Sequence, residues 1–275
     1  MAFRADLNSD MGESFGAWRM GEIETLMELV TSANVACGFH AGDPRVMART
    51  VRMAREHGVA VGAHVSYPDL VGFGRRPMTL SAEEITTDVL YQIGALYAFV
   101  RDQGADLQHV KAHGSLYNQA ERDAEVAAAL VEGIRRFSRS LWVVAPDTSA
   151  MALAAREAGL RVAREAFCDR AYREDGTLAS RRLEGSLLHD PAEVSRRALR
   201  MVIEGRVGTL DGPERKVSCD TLCIHSDTVG AVEMAGAVKR ALTEAGVTVT
   251  AFGNLGVKDS LADREPPERN GVPNK

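Results

Sequence analysis

Residues 32–44, SANVACGFHAGDP, decide the fold because they join an apolar run to a glycine-rich turn and the start of a helix. The apolar part has the length and composition of a buried strand. Asp43 followed by Pro44 is a typical helix start, since a carboxylate caps free amide groups and proline suits the first helical position. The stretch therefore predicts one strand–turn–helix unit, with His40 in the turn as its chemical candidate.

Short apolar runs and longer segments of helical periodicity alternate along the rest of the chain. Ser81 and Glu84 form the pattern of a capping box, and Gly58 and Gly159 stand where helices commonly end. The candidate strands span residues 3–9, 31–37, 59–64, 107–113, 141–146, 160–167, 218–225 and 247–252. Strands that alternate with helices predict an α/β fold with a mainly parallel sheet.

The chain of 275 residues is long enough for one α/β barrel, which typically needs about 250. No linker rich in proline or serine divides it, and no G-x-G-x-x-G motif follows the first strand, as two doubly wound halves would predict. We predict a single TIM-like barrel of seven or eight units over residues 1–258, followed by a polar, flexible tail over 259–275. The segment 65–80 is rich in glycine, proline and aromatic residues, which is typical of a functional loop.

The composition excludes several classes of protein. With 45% hydrophobic and 26% charged residues, the chain has the makeup of an ordinary globular protein with a substantial core. The formal net charge of −5 and the absence of a basic stripe argue against a nucleic-acid partner. No apolar run approaches the roughly 18 residues of a membrane span, and the first residues do not resemble a secretory signal. We therefore expect a cytoplasmic protein without a membrane partner.

The four cysteines are too few and too scattered to stabilise a chain of this size through disulfides. Reduced thiols are therefore expected. Cys219 and Cys223 have a spacing that resembles metal ligands, but alternation along a strand would place both on one apolar face. We interpret them, together with Cys37, as buried and unreactive.

Polar side chains follow most of the predicted strands. In chain order these are Asn8 and Asp10, His40, His64, His113, Glu165 and Asp169, and His225 and Asp227. Because the carboxyl ends of parallel barrel strands lie on one face, we expect these side chains to form one cluster. Four of the seven histidines occupy equivalent places. His57, His109 and His189 do not, and we interpret them as structural or surface residues.

Imidazoles and carboxylates together suit either a divalent metal with an activated water or a metal-free acid/base site. The pattern leaves both open. The sequence contains no H-E-x-x-H, G-x-S-x-G or G-x-x-x-x-G-K-[ST] motif, so an ATP site formed by a P-loop is not supported. Lys111 lies two residues before His113 and projects to the same side of a strand. It suits either recognition of a carboxylate or carbonyl, or an ion pair in the core.

Six blocks containing these residues stand out: ADLNSDMGESFGAW (5–18), SANVACGFHAGDP (32–44), GAHVSYPDLVGFGRR (62–76), VKAHGSLYN (110–118), REAFCDRAYREDGTLASR (164–181) and IHSDT (224–228). They resemble, in order, the signature blocks of the LamB/YcsF lactam-utilisation family, the 5-oxoprolinase A subunits, and cover roughly residues 2–258. The resemblance implies a (β/α)7-type barrel related to glycoside hydrolases and deacetylases. It further implies ATP-dependent hydrolysis of 5-oxo-L-proline to L-glutamate, jointly with partner subunits B and C.

Within this resemblance, ATP would phosphorylate the amide oxygen at a site on, or shared with, the partner subunits, with a divalent ion such as Mg²⁺ accompanying it. We expect acid/base and binding roles for Asp10, His40, His64, His113, Glu165, Asp169, His225 and Asp227. Further substrate contacts are expected from Asn8, Arg75, Arg76, Lys111 and Tyr117, with Arg75 or Arg76 clamping the carboxylate and Lys111 stabilising negative charge on the lactam oxygen. A protein-bound metal, if present, would be held by Asp10, His40, His64 and His113.

Three positions depart from the family pattern: Val65 and Ala112 where proline is expected, and Ser226 where glycine is usual. They change backbone stiffness rather than a titratable group. Two other functions stay open. The chain could be a metal-dependent deacetylase or amidohydrolase that acts alone, or a substrate-binding subunit whose partners hold all the chemistry.

Overall fold

Parallel strands form a closed barrel in the computed structural model, which describes residues 3–210 and 212–254. The strands are β1 (Arg4–Met11), β2 (Ser32–Ala36), β3 (Ala60–Val65), β4 (Leu107–Ala112), β5 (Trp142–Ala145), β6 (Arg161–Phe167), β7 (Arg206–Val207), β8 (Arg215–Lys216), β9 (Thr221–Cys223) and β10 (Thr248–Val249). Neighbours pair from β1 through β6, β6 pairs with β9, and β9 returns to β1. The seven-stranded barrel expected from the sequence is thus confirmed, and β7 and β8 form a separate antiparallel pair.

The barrel closes at β1, which pairs with two different strands on the same edge. Its first residues, Arg4 and Ala5, pair with β10, whereas residues 6–8 pair with β9. β10 therefore takes the place of an eighth strand only at the amino-terminal end. There, Phe252 of the following 3-10 turn (Phe252–Asn254) is buried against Val144 and Ala163 and stacks edge-on at 5.2 Å from His109. The Phe252 side chain therefore fills the amino-terminal end of the barrel.

Helices follow the strands and cover the outside of the barrel. They are α1 (Ile23–Met27), α2 (Pro44–Glu56), α3 (Ala82–Asp102), α4 (Gly114–Ala120), α5 (Ala124–Phe137), α6 (Ala150–Glu157), α7 (Pro191–Leu199) and α8 (Ala231–Glu244), with a π-helical turn at Arg200–Glu204. None of the helices in the described part of the chain is long and apolar enough to cross a membrane.

The helix signals of the sequence are confirmed. Asp43 accepts hydrogen bonds from the amides of Arg45 and Val46 at the start of α2. Ser81 and Glu84 form the reciprocal capping box of α3. Gly58 and Gly159 follow α2 and α6 with φ of +66° and +74°, a conformation that costs glycine little.

Polar side chains fill much of the barrel interior. In β1, the outward-facing Leu7 and Met11 join the apolar core beneath the helices, while Asp6, Asn8 and Asp10 hydrogen-bond across the interior. Gly62 leaves room for the ring of His109, because a Cβ at Gly62 would lie 2.0 Å from His109 Nε2. The polar side chains of β1 therefore have hydrogen-bonding partners within the barrel.

The cysteines and the histidines that do not follow strands differ in burial. All four cysteines are free, but Cys219 precedes β9, which begins at Thr221, so the shared strand face predicted for Cys219 and Cys223 is wrong. Cys223 is buried, with its Sγ 3.2 Å from Lys111 Nζ. His57 and His189 are exposed, and His109 is buried. The predicted tail over 259–275 lies outside the described residues.

Candidate active site

A cleft of about 1340 Å³ opens at the carboxyl ends of the strands. Its buried lining comes from the ends of β1 and β3 and from β4, and its exposed lining comes from the loops after β3, β6 and β9 and from α4 and the start of α5. The lining includes Asp10, Glu13, His64, Arg75, Lys111, His113, Tyr117, Arg170, Arg181, His225 and Asp227. Residues far apart in sequence thus meet at the face where barrel active sites are built.

Lys111 is the central cation of the cleft floor. Its Nζ lies 2.9 Å from Asp10 Oδ1 and 2.8 Å from Glu165 Oε1, and the side chain is almost completely buried. Burial alone would lower the pKa of Lys111, but the charges of Asp10, Cys223 and Glu165 raise it well above its usual value. Of the two interpretations that the sequence left open, the ion pair is the one observed, at a position that also lines the cleft.

Asn8 and Tyr117 hold the carboxylate of Glu165 from two sides. Tyr117 Oη donates to Glu165 Oε2 at 2.8 Å, and Asn8 Nδ2 lies 3.3 Å from Glu165 Oε1. Tyr117 lines the cleft, whereas Asn8 and Glu165 are buried below it. The structure therefore places Glu165 beneath the floor, in contact with the cleft through Lys111 and Tyr117.

Three histidines and a glutamate form a second group beside Lys111. His113 Nδ1 lies 3.0 Å from His64 Nε2, and the His40 ring stacks on that of His113 with centroids 3.9 Å apart. Glu13 Oε1 lies 3.3 Å from His40 Nε2, 4.0 Å from His64 Nε2 and 3.5 Å from His113 Nδ1. The histidines expected from strands two, three and four do meet, around a carboxylate that the strand-end pattern omitted.

Burial sets the charge of this group. Desolvation, reinforced by neighbouring imidazoles, holds the pKa of His40 and of His113 well below the usual value, so both rings are neutral. Desolvation and the charge of Asp10 raise the pKa of Glu13 to about 8. For Asp10, burial would raise the pKa, but His64 and Lys111 lower it well below the usual value. Two carboxylates that lie close together thus differ in charge state.

His225 and Asp169 form a dyad near Asp10, with a ring nitrogen of His225 within 4.8 Å of a carboxylate oxygen of Asp10. His225 Nδ1 lies 3.0 Å from Asp169 Oδ2, which also accepts hydrogen bonds from the His225 amide and Thr228 Oγ1. Phe167 stacks on the imidazole with centroids 5.5 Å apart. A carboxylate on Nδ1 fixes the tautomer and orientation of the ring, which leaves Nε2 for proton exchange.

The two arginines predicted to clamp a carboxylate lie in different places. Arg75 lines the cleft and pairs with Asp227, which also lies 3.4 Å from Arg181 Nη1. Arg76 pairs instead with Asp69 inside the loop after β3 and is absent from the cleft lining. Arg181 and the Arg75 contact lower the pKa of Asp227 against the effect of burial. Asp227 therefore anchors two arginines at the cleft.

Glu13 and Asn34 complete the site without having been predicted. Asn34 Nδ2 donates to Asn8 Oδ1 at 2.8 Å and to Asp10 Oδ1 at 2.9 Å, so it orients the end of β1. Glu13 follows Gly12, whose φ of +70° turns the chain back over the barrel. Its position in the block DMGE, three residues after Asp10, is the signal that could have identified it.

These features define a class: a (β/α)7 barrel with a buried carboxylate–histidine site where barrel enzymes carry out their chemistry. The sequence profile of the LamB/YcsF family matches residues 5–256, and the chain belongs to this family. It is 52% identical over 250 residues to the 5-oxoprolinase A subunit of Symbiobacterium thermophilum, covering 91% of this chain and 96% of the relative.

Two similar proteins come from Thermus thermophilus. The 5-oxoprolinase A subunit of this organism is 53% identical over 249 residues, covering 90% of this chain and all of the relative. The crystal structure of a lactam utilization protein from the same species superposes with a TM-score of 0.87 at 53% identity. It covers 90% of this chain and 100% of its own. The similarity thus spans the whole barrel.

Proposed function

We propose that this protein is a catalytic subunit of a 5-oxoprolinase, which opens the lactam ring of 5-oxo-L-proline to give L-glutamate. The main support for the proposal is the lining of the cleft. Arg75 and Arg181 form a cationic wall, and carboxylates and imidazoles in fixed positions form the floor. The names of relatives that are about half identical over nearly the whole chain support the choice of substrate.

The substrate offers a carboxylate and an unreactive amide, and the cleft has residues suited to each. Arg75 and Arg181 share the single carboxylate of Asp227, so their guanidinium groups have donors left for a substrate carboxylate. Lys111 contacts Asp10 and Glu165 and holds the first carboxylate on the floor and the second beneath it. We place the lactam ring between these two groups, with its carboxylate toward the arginines.

Ring opening requires one proton for the leaving nitrogen and a positioned water for the carbonyl carbon. In the proposed sequence, ATP transfers its γ-phosphoryl group to the lactam oxygen, and water adds to the ring carbon. The carbon–nitrogen bond then breaks as the nitrogen takes a proton, which leaves an acyl phosphate, and a second water hydrolyses this acyl phosphate to glutamate and inorganic phosphate. The His225–Asp169 dyad is suited to move these protons, because its orientation is fixed and its ring lines the cleft.

We assign ATP, with its Mg²⁺, to a site formed with partner subunits B and C, since the chain has no P-loop sequence. The decisive experiment measures ATP hydrolysis and glutamate formation that depend on 5-oxoproline, in mixtures of B and C with and without this chain. Activity that is unchanged when this chain is omitted would overturn the proposal.

Variants separate a catalytic subunit from a binding subunit. Asp10→Ala and His225→Ala should retain 5-oxoproline binding by calorimetry and lose at least about 100-fold in rate, the usual contribution of positioned acid/base groups. A rate above about one tenth of wild type in both would instead favour a purely binding role. Assays of N-acetylated sugars without ATP or partners test the stand-alone deacetylase.

A further inference from the structure

The hydrogen bonds of His64 and His113 fix which ring nitrogens carry protons. His64 Nδ1 lies 3.1 Å from the carbonyl oxygen of Lys111, and His113 Nε2 lies 2.9 Å from that of Phe73. Because a carbonyl oxygen only accepts, both of these nitrogens must be donors. An imidazole that donates through one nitrogen offers the other to a metal ion, so His64 Nε2 and His113 Nδ1 are the two nitrogens available as ligands.

These two nitrogens face each other at 3.0 Å. Two acceptors at this distance repel each other unless a positive centre lies between or beside them. Within the described residues, no side-chain cation contacts either nitrogen, since Lys111 Nζ is directed at Asp10 and Glu165. The arrangement therefore calls for a bound cation or a shared proton.

Glu13 supplies a third donor atom directed at the same point. Its Oε1 is buried and has no hydrogen-bond partner among residues 3–210 and 212–254. It lies 3.5 Å from His113 Nδ1 and 4.0 Å from His64 Nε2. A buried oxygen without a hydrogen-bond partner is costly, and a metal ion is one of the few partners that removes the cost.

The spacing of the three atoms suits a small metal ion. A tetrahedral ion with bonds of about 2.0–2.1 Å holds its donors about 3.3 Å apart. The separations of 3.0, 3.5 and 4.0 Å bracket this value. We propose that Glu13 Oε1, His64 Nε2 and His113 Nδ1 bind a divalent transition-metal ion of the Zn²⁺ type, the class that imidazole and carboxylate ligands favour.

His40 and Asp10 stand outside this ligand set. His40 is absent from the cleft lining, and its ring is parallel to that of His113 within 7°, so the two rings do not converge on one point. Its Nε2 lies 3.3 Å from Glu13 Oε1 without forming a hydrogen bond to it. Asp10 is bound by Lys111 and Asn34 through Oδ1, and its Oδ2 lies 3.4 Å from His64 Nε2. Glu13, however, is the carboxylate whose oxygen lies within 4.8 Å of ligand atoms of all three histidines. The set therefore differs from the one expected from the sequence, with Glu13 as the carboxylate ligand.

All three proposed ligands line the cleft, so an ion held by them would be open to the cleft. A bound ion there supplies polarisation of a carbonyl oxygen and a water of lowered pKa. The carbonyls of Lys111 and Phe73 fix the ligand rings, as outer hydrogen bonds do in metal sites. The role of the ion in ring opening rests on the proposed function, whereas the binding of the ion to this chain does not.

Metal binding is tested directly on the full-length chain. Protein stripped with chelator is titrated with Zn²⁺ by calorimetry, and with Co²⁺ while the visible absorption of the cobalt is recorded. We expect one ion per chain and a tetrahedral cobalt spectrum. Glu13→Gln and His64→Ala should each weaken binding by about 100-fold or more. His225→Ala, another cleft histidine, is the matched control and should bind normally.

The competing explanation is a proton shared by His64 and His113, and it overturns the proposal if the data support it. Binding of less than about 0.2 ion per chain, or equal metal affinity in Glu13→Gln and wild type, would overturn the proposal. Glu13→Gln preserves size, and its circular dichroism spectrum identifies loss of fold. Stoichiometric metal binding without 5-oxoproline turnover would confirm the metal site and contradict the proposed function. The experiment therefore distinguishes failure of the metal site from failure of the proposed function.

Discussion

Lys111 and Asp10 form a buried ion pair at the centre of the barrel, with Nζ 2.9 Å from Oδ1. The same ammonium group contacts Glu165 at 2.8 Å, so one cation faces two carboxylates. Pairs of this kind contribute little net stability compared with an apolar core, but removing one partner leaves an uncompensated charge. The pair therefore fixes the geometry of the floor and makes it sensitive to substitution.

Lys111→Met should lower the free energy of unfolding by about 3–5 kcal/mol, because Asp10 and Glu165 lose their cation. Urea denaturation measures the change. Arg164→Met is the matched control, since Arg164 pairs with Asp220 at a half-exposed site where such pairs contribute at most about 1 kcal/mol. Equal losses in the two variants would contradict the central role of Lys111.

Arg75→Ala should raise KM for 5-oxoproline by about tenfold or more, since a hydrogen bond to a charged group contributes about 1.5–3 kcal/mol. Its effect on kcat should be smaller, because Arg75 holds the carboxylate rather than the reacting amide. Steady-state kinetics of the reconstituted complex measure both constants. Arg76→Ala is the control, and its KM should stay within about twofold because Arg76 contacts Asp69. A similar rise in both variants would show that the loop as a whole, rather than Arg75, binds substrate.

Asp6 gives the barrel a pH-dependent stability. Its side chain accepts hydrogen bonds from Thr31, Ser32 and Thr221, but burial raises its pKa to about 6. Because the folded state binds the proton more tightly, the stabilisation is complete below the unfolded pKa of about 3.9 and is lost as pH rises to 6.

Asp6→Asn removes this dependence. Between pH 5 and pH 8, the free energy of unfolding of the wild type should fall by about 1.4 kcal/mol relative to the variant, which is about one pKa unit. Urea denaturation of both proteins at the two pH values provides the comparison. A difference that stays constant with pH would exclude Asp6 as the titrating group.

Gly74 brings the loop after β3 against the histidine group. It has φ of +65°, and a Cβ there would lie 2.2 Å from Ser66 Oγ and 2.8 Å from His113 Cδ2. Gly74→Ala should therefore displace His113 and reduce kcat by at least about tenfold, since small misplacements at a site have large effects on rate.

Gly104→Ala is the control for backbone strain, because Gly104 has φ of +62° with nothing near the added Cβ. Both variants should lose about 1 kcal/mol of stability from the left-handed conformation. Only Gly74→Ala should lose activity, and equal kcat values in the two would separate the loop from catalysis.

The barrel could be predicted from the sequence because each unit carries local signals of its own. The bounds of α2 and α6 agree with their caps and terminal glycines, since these act within a few residues. The strand-end histidines His40, His64 and His113 were predictable for a topological reason, because parallel strands all present their carboxyl ends on one face.

Other parts of the site depend on contacts that no local pattern encodes. Glu13 lies beyond the end of β1 and reaches the histidines only because Gly12 reverses the chain. Arg75 and Arg76 are adjacent in sequence, and their different positions are set by Asp227 and Asp69, which are remote and local partners respectively. Such differences arise from tertiary packing, which residue spacing alone does not specify.

Phe252 packs at the amino-terminal end of the barrel, whereas the cleft opens at the carboxyl ends of the strands. In the proposed enzyme, substrate, water and product would use this opening, on the face formed by the loops. A partner protein seated over that opening would retain glutamate until it moved aside. Movement of the partner, rather than bond breaking, would then be the rate-limiting step of each turnover.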